Sequence, residues 1–461
     1  MALPNVTFWD GIQRLFYIVP PSESSFEKLE DVPDYISQSL PFFFGAMLIE
    51  VIVSCLSGAA PKARVNDGIN SMSAGMLSEM MKMVTFSAQL TTYVIIYNNM
   101  RITELPWNSP YTWWICFIGV DLGYYVFHRL GHEVNIMWAA HQVHHSSEEY
   151  NLTTALRQGA MQGFTSWIFY LPLALAVPPP IFMVHTQFNI LYQFWIHTEV
   201  VKSLGPLEYI LNTPSHHRVH HGRNRYCIDK NYGGTLIIWD RLFGTFQAEE
   251  DHVVYGLTHP LMTWDPVWAQ ASHFKHIWCT FWQTKGVRNK VSVLFKGPGW
   301  SPGKPRLGEI TDIPDVHHPH PKYNSELPLW ATTYVFIHFF VTVIVFSHLG
   351  LKAKIINRSA VNVGVMCLIF SLVAFGALFD KKWYAPYLET VRVAVFLMID
   401  IATFTTGQSA MESLLGFPSM GMSVLRLWFM FSVSLWVLLS AKQVSTAGLT
   451  RVSENDTATT Q

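Results

Sequence analysis

Three histidine clusters punctuate the first half of this chain: His128-x3-His132, His141-x2-His144-His145 and His217-x2-His220-His221. Residues three and four apart share a helix face, so each cluster is expected to aim its imidazoles in one direction. Neutral imidazole is a common metal ligand and suits iron, copper and zinc. Eight of them exceed the needs of one tetrahedral ion and suit two. The sequence around them is apolar enough for a bilayer, where unpartnered buried imidazoles are costly. A metal site follows. An accidental histidine-rich surface loop explains neither the repeated spacing nor the apolar surroundings.

Only 14% of the residues are charged and 50% are hydrophobic, whereas soluble domains carry about a quarter charged residues. This is membrane-protein composition. The net charge of −1 gives no electrostatic attraction to nucleic acid. Five cysteines, Cys55, Cys116, Cys227, Cys279 and Cys367, are scattered without a CxxC pair. Neither a disulfide framework nor a thiolate metal site is implied. The first forty residues hold Glu23, Glu27, Glu30, Asp31 and Asp34 and no apolar core, so no cleavable signal peptide is expected.

The chain divides by composition. Residues 1–40 read as a polar lead-in and 41–110 as N-terminal membrane segments, with apolar stretches at 42–60 and 73–98. Residues 111–260 form the histidine-bearing core. Its first segment, Tyr111 to Phe127, runs directly into His128 and is expected to continue past the hydrocarbon layer, which takes about 20 residues to cross. Apolar stretches at 164–177 and 181–196 flank Pro178-Pro179-Pro180, which stops a single helix. A hairpin returning to its starting side is expected there, bringing the third cluster to the side of the first two. Residues 261–327 read as a cytosolic loop region. The fourteen Lys/Arg between residues 202 and 322 place it on the cytosolic side by the positive-inside rule. Residues 328–440 hold four more apolar segments, near 329–349, 359–379, 388–405 and 422–440, and 441–461 read as a disordered tail. The expected fold is all-α: a multi-pass membrane protein whose cytosolic-face helical cap carries a histidine-rich di-metal site.

The histidine pattern, with Asn231-Tyr232-Gly233 and Trp239-Asp240-Arg241-Leu242-Phe243-Gly244-Thr245 after it, resembles the membrane fatty acid hydroxylase and sterol desaturase superfamily. Within it, the blocks "GVDLGYYVFHRLGHEVNIMWAAHQVHHSSEEYNLTTALRQ", "LYQFWIHTEV" and "LNTPSHHRVHHGRNRYCIDKNYGG" resemble the tetrahydrobiopterin-dependent monooxygenases that cleave ether lipids. The likeness extends over nearly the whole chain. It implies two non-haem irons held between helix ends at the cytosolic face of the endoplasmic reticulum membrane. The implied ligands are His128, His132, His141, His144, His145, His217, His220 and His221. His197, in Trp195-Ile196-His197-Thr198, is the implied ninth. The substrates it implies are membrane alkylglycerols and O2, with tetrahydrobiopterin as external reductant. The product would be a hemiacetal that collapses to fatty aldehyde and glycerol.

Two carboxylates join the candidates. Asp121 lies seven residues before His128 on the same helical face. Intramembrane carboxylates are costly, and holding a ligand imidazole by its other nitrogen is a common use for one. A structural hydrogen bond is the alternative. Glu133 could contact a pterin or a metal-bound water, or be a solvated helix-end charge. His216 breaks the face of its cluster and is read as supporting. His273 and His276 read as an amphipathic surface helix, His317, His318 and His320 as a Pro-broken loop, and His185, His338 and His348 as packing or interfacial residues. Attack on an unactivated C–H bond needs an oxidising metal–oxygen chemistry. No Gly-rich dinucleotide fingerprint or cytochrome-like domain is present, so the electrons come from outside. Three other readings stay open: a cytochrome-fed acyl or sterol hydroxylase or desaturase, a metal transporter, and a zinc hydrolase.

Overall fold

The apolar run after Asp34 forms a helix that Asp34 caps, its carboxylate accepting from Ser37 N at 3.0 Å. The computed structural model describes residues 6–57, 64–353, 355–404, 412 and 419–458. Among the described residues the regular structure is helical, with two isolated bridges and no strand. The helices are α1 Phe8–Leu15, α2 Tyr35–Ser57, α3 Val65–Met100, α4 Pro110–Glu133, α5 Asn135–His141, α6 Leu152–Leu156, α7 Pro179–Trp195, α8 Pro214–His221, α9 Ile238–Phe243, α10 Pro266–Gln283 and α11 Val287–Phe295. Then come α12 Leu329–Lys352, α13 Arg358–Phe379, α14 Ala385–Phe404 and α15 Ser419–Ala458.

Two compact units result, one of Met1–Met262 with Trp268–Tyr323, the other of Thr263–Val267 with Asn324–Gln461. Four stretches are long and apolar enough to cross a bilayer: Leu29–Ser57, Leu329–Lys352, Arg358–Phe379 and Met420–Ala441. They turn large apolar side chains outward, such as Leu48, Ile49 and Leu56 on α2 and Phe336 and Phe340 on α12, which suits contact with lipid. Residues 58–60, the end of the first expected span, lie outside the described residues.

In the first unit, α7 is the central post. Val184, Phe188, Leu191 and Phe194 on it pack against Leu15, Tyr35, Phe43 and Leu152, and Phe43 stacks on Phe194 at 4.0 Å. Other expected spans differ in character. The 73–98 stretch lies inside α3, whose first half buries Asn66, Asp67, Asn70, Ser71, Ser73 and Ser78, a polar face turned to protein rather than lipid. Only the second limb of the proline-split segment is an α-helix. The first is a ten-residue 3-10 stretch, Ser166–Leu175, with Pro172 inside it; a proline there removes a donor and crowds the preceding turn. The tyrosine-to-phenylalanine run 111–127 extends through α4 to Glu133, delivering His128 and His132 at the helix end.

In the second unit, α14 packs on both α13 and α15. It carries Glu389, Arg392 and Asp400, each paired. Arg392 Nη2 lies 2.5 Å from Glu389 and 2.9 Å from His338 Nδ1, and Arg426 Nε lies 2.6 Å from Asp400. Pairing inside the bundle is how charges are tolerated at membrane depth. Helix α15 runs on to Ala458, into the segment expected from its composition to be disordered.

Candidate metal centre

Five elements place the histidines. The last two turns of α4 bring His128 and His132, α5 brings His141, the 3-10 turn after it His144 and His145, the residues just past α7 His197, and α8 brings His217, His220 and His221. Helix α8 starts in a defined place because Pro214 occupies its first turn, where a missing N–H costs nothing. All nine expected imidazoles are buried and gather into two groups. One is His128, His132, His141, His145 and His220; the other is His144, His197, His217 and His221. Within each group the candidate ligand nitrogens lie within 4.8 Å of one another.

This corrects the expectation that each cluster points one way. The second and third clusters each split between the groups. On a helix of 3.6 residues per turn, residue i+4 lies about 40° to one side of residue i and i+3 about 60° to the other. His217 and His221 therefore serve one group and His220 the other.

The ring tautomers test whether an ion fits. His128 Nδ1 donates to Tyr232 O at 2.8 Å, His144 Nδ1 to Arg157 O at 2.8 Å, His197 Nδ1 to Gln193 O at 2.7 Å and His220 Nδ1 to Lys230 O at 2.9 Å. A carbonyl only accepts, so each Nδ1 carries the proton and each neutral ring presents a bare lone pair at Nε2. Those lone pairs face one another: His144 and His197 approach at 3.2 Å through Nε2. His128 and His141 do so at 3.0 Å, with Gln162 Oε1 at 3.2 Å from His141 Nδ1. His132, His220 and His221 leave Nε2 buried without any partner. Lone pair against lone pair in a dry pocket is repulsive unless a cation lies between them. Nitrogens bound about 2 Å from one ion are separated by roughly 3–4 Å, and each group holds pairs at that spacing: His141 to His128 and His145 at 3.0 and 3.2 Å in one, His197 to His217 and His144 at 3.0 and 3.2 Å in the other. Two ions fit this donor set, one per group, and all-imidazole donation suits iron, copper or zinc.

Burial also keeps the rings neutral. It pushes His141 and His197 down to about 4 and His220 to about 3. His144, His145, His217 and His221 are held well below the ordinary histidine value, by burial first and by neighbouring imidazoles next. Neutral imidazole is the form that binds metal.

A strap supports the five-histidine group. Its residues 229–232 supply the Lys230 and Tyr232 carbonyls, and Asp229 Oδ1 stands 3.8 Å from His132 Nδ1. Asp229 and Asn231 adopt left-handed backbone, φ 57° and 55°, which Asp and Asn tolerate better than most residues. Asn231 is fixed at both ends of its amide, donating to His216 O and Gln247 O and accepting from Gln247 N. Asp240 accepts from the Tyr232 and Gly233 amides at 2.8 and 2.7 Å and from Thr245 Oγ1 at 2.7 Å. Burial pushes its carboxyl up to about 6 against those bonds. A Cβ on Gly233 would meet Leu236 O at 2.5 Å, so only glycine allows this approach. The Asn-Tyr-Gly and Trp-Asp-Arg motifs thus form one device.

Asp121 does not touch an imidazole. Seven residues of helix separate it from His128 by about 10 Å, and the strap's carbonyl takes that ring instead. Its carboxylate accepts from Thr235 N, Leu236 N, Trp239 Nε1 and Asn189 Nδ2 at 2.7 to 3.0 Å, anchoring the strand of chain that follows the strap. Glu133 is buried, with one oxygen 2.7 Å from Arg129 Nε and the other 2.7 Å from Arg306 Nη1. His216 stays outside both groups, its ring against Phe246 at 5.3 Å. His273 pairs with Asn135 Oδ1 at 2.7 Å and His185 with Tyr17 at 2.6 Å. Sequence reasoning missed Asp229, Gln162 and Asp240 as supports. The motif around Asp240 was visible, but its role depends on bonds to a turn eight residues away.

Residues 113–245 match the family model described as fatty acid hydroxylase, and residues 331–415 that of the alkylglycerol monooxygenase C-terminal domain. The chain is 51% identical over 398 residues to the alkylglycerol monooxygenase of Homo sapiens, covering 86% of this chain and 89% of that protein. It is 37% identical over 402 residues to that of Caenorhabditis elegans, covering 83% and 80%. The ornithine lipid hydroxylase OlsE of Rhizobium tropici is 34% identical over 128 residues, 27% of this chain and 39% of that protein. No solved structure matches the chain. The matched core contains both histidine groups, and the likeness continues through the helices beyond it: the chain belongs to the alkylglycerol monooxygenase family.

Proposed function

We propose that this chain is an iron-dependent monooxygenase that hydroxylates the ether-adjacent carbon of 1-O-alkylglycerols. The observation that carries the reading is the pair of all-histidine groups in a chain of this family. His128, His132, His141, His145 and His220 would hold one iron and His144, His197, His217 and His221 the other. Bound iron would supply the O2-dependent oxidation of a C–H bond that acid–base side chains alone do not attack. The ether oxygen weakens the adjacent C–H, and oxygen insertion there gives a hemiacetal that breaks down to fatty aldehyde and glycerol.

The protein's own residues position and dry the site. Trp138 packs on His132 and His145 at 5.0 and 5.6 Å, and Tyr150 on His221 and His197 at 5.3 and 5.7 Å. These rings exclude water from both groups. A lipid substrate reaches such a site laterally from the bilayer, its alkyl chain in hydrocarbon and its glycerol at the interface, so that placement of one carbon sets regiochemistry.

Tetrahydrobiopterin is the proposed reductant. The polar corner beside His132 suits a pterin in kind: Asp229 is partly exposed there, Glu133 is held by two arginines, and the Tyr232 ring lies 5.3 Å from that of His132. Carboxylates match the donor edge of a pterin ring. Asp121 enters this proposal as a positioning residue, through the chain it anchors. The endoplasmic reticulum membrane, with the metal centre toward the cytosol, is the proposed location, supported by the cationic 202–322 region.

Aldehyde release from a 1-O-alkylglycerol, by membranes expressing the chain with and without tetrahydrobiopterin, tests the reading. His145→Ala and His221→Ala disable one group each. Pterin- and oxygen-dependent aldehyde, lost in both variants, is the expected result. Folded, iron-loaded protein that releases none under any pterin condition would overturn it and point to a cytochrome-fed hydroxylase or desaturase.

A further inference from the structure

The hairpin of α10 and α11 has two faces of opposite use. Its inner face is bolted to the segment that carries the second histidine cluster. Asn135 Nδ2 donates to Val293 O, Asn135 N to Lys296 O and Gln142 Nε2 to Ala269 O, each at 2.8 Å. Gln270 spans to Ala160 N at 2.8 Å and Gln158 O at 3.0 Å. Ile277 and Val293 complete a small core with Ala139.

The outer face is apolar and cationic. Ala271, Lys275, Trp278, Cys279 and Trp282 are exposed and fall within roughly 100° of arc on α10. Trp278 and Trp282 remain 64% and 59% exposed. On α11, Val287, Val291 and Phe295, spaced four apart on one helix face, are exposed as well. From Pro266 to Lys296 there is no Asp or Glu, against Lys275, Lys285, Arg288, Lys290 and Lys296. Lys290 Nζ lies 4.7 Å above the Trp282 ring, so a cation and an aromatic ring leave the surface together.

From this we infer that the outer face of the hairpin rests on the headgroup layer of the bilayer and binds anionic phospholipid. Tryptophan favours the boundary between hydrocarbon and water. Amphipathic helices with Lys/Arg among apolar residues lie in that plane, and each cation near an anionic leaflet adds attraction. An acidic protein would satisfy the lysines but leave the exposed tryptophans and valines without apolar cover; a lipid surface satisfies both. The consequence follows from the inner face. Lipid that seats the hairpin also steadies α5, and through it His141.

The test uses full-length, iron-loaded protein in phosphatidylcholine vesicles with or without phosphatidylserine. Cys55→Ser with Cys367→Ser leaves Cys279 as the one exposed cysteine among the described residues, beside the buried Cys116 and Cys227, to be labelled with an environment-sensitive fluorophore. Brominated acyl chains should quench it, more strongly with phosphatidylserine present. Combined Lys275→Glu, Lys285→Glu, Arg288→Glu and Lys290→Glu substitution should remove at least half of the phosphatidylserine-dependent quenching at unchanged iron content. The measurement on the unsubstituted hairpin stands even if that variant fails to fold. A label unquenched in either bilayer, or quenched equally with and without anionic lipid, overturns the inference. So does a label shielded only when a second protein is added. None of these readouts depends on the reaction proposed above.

Discussion

Four of the nine clustered imidazoles are oriented by peptide carbonyls, those of Arg157, Gln193, Lys230 and Tyr232, and one by a side chain, Gln162. The difference is measurable. Substituting Lys230 by Ala keeps the carbonyl, so iron retention under a mild chelator should stay within about twofold of the parent protein. Gln162→Leu removes the acceptor, and losing such a support costs about 10- to 100-fold in metal affinity or activity; iron content after the same challenge reads it. A second support is ionic. Arg157 Nη2 lies 2.9 Å from buried Asp67, which also accepts from Ser147 Oγ at 2.8 Å. Asp67→Ala leaves the Arg157 charge buried and unpaired, a loss of about 3–5 kcal/mol, to be seen in thermal unfolding together with weaker iron retention at the four-histidine group.

At the scale of elements, α14 shows how much context a helix needs. Arg392→Leu strands Glu389 inside the bundle and should cost about 3–5 kcal/mol in detergent unfolding experiments, while the Glu389→Leu, Arg392→Leu double variant should recover most of it. A double variant as unstable as the single one would mean that His338, bonded to Arg392, carries the stability instead. The helices themselves were largely legible. An apolar run leading into His128 forecast α4 as a helix that carries the first cluster at its end, and three prolines forecast the break before α7. Helix α4 is nevertheless not one of the four stretches long and apolar enough to cross a bilayer. What stayed hidden is non-local. The fan of α8 into two groups needs both partners in place, and the strap at 229–232 works through left-handed residues and carbonyls that no side-chain pattern records. Asp121 looked like a ligand's support by helical face alone; axial distance and the competing carbonyl decided otherwise. Close packing was equally invisible: a Cβ on Gly159 would fall 1.7 Å from Ala140 O. Gly159→Ala should therefore displace the segment against α5 and cost about 1–3 kcal/mol, with iron lost in the same preparation.

For the molecule as a whole, both histidine groups belong to the first compact unit, and among the described residues the second unit holds no such group. An ion that binds only the folded state stabilises it by mass action. Stripping iron with a strong chelator should lower the unfolding temperature of the first unit and leave the transition of the second in place; a uniform shift of both would contradict that division. The interleaving of the groups has a further consequence, in the timing of biosynthesis. One group draws on residues from His128 to His220, the other from His144 to His221, and the strap is finished only at Tyr232. Nothing emerging earlier from the ribosome completes either set of donors. Neither group can hold its full set of ligands until translation has passed His220, so complete metal loading comes after the first half of the chain has been made and depends on whatever supplies iron at the membrane from that point on.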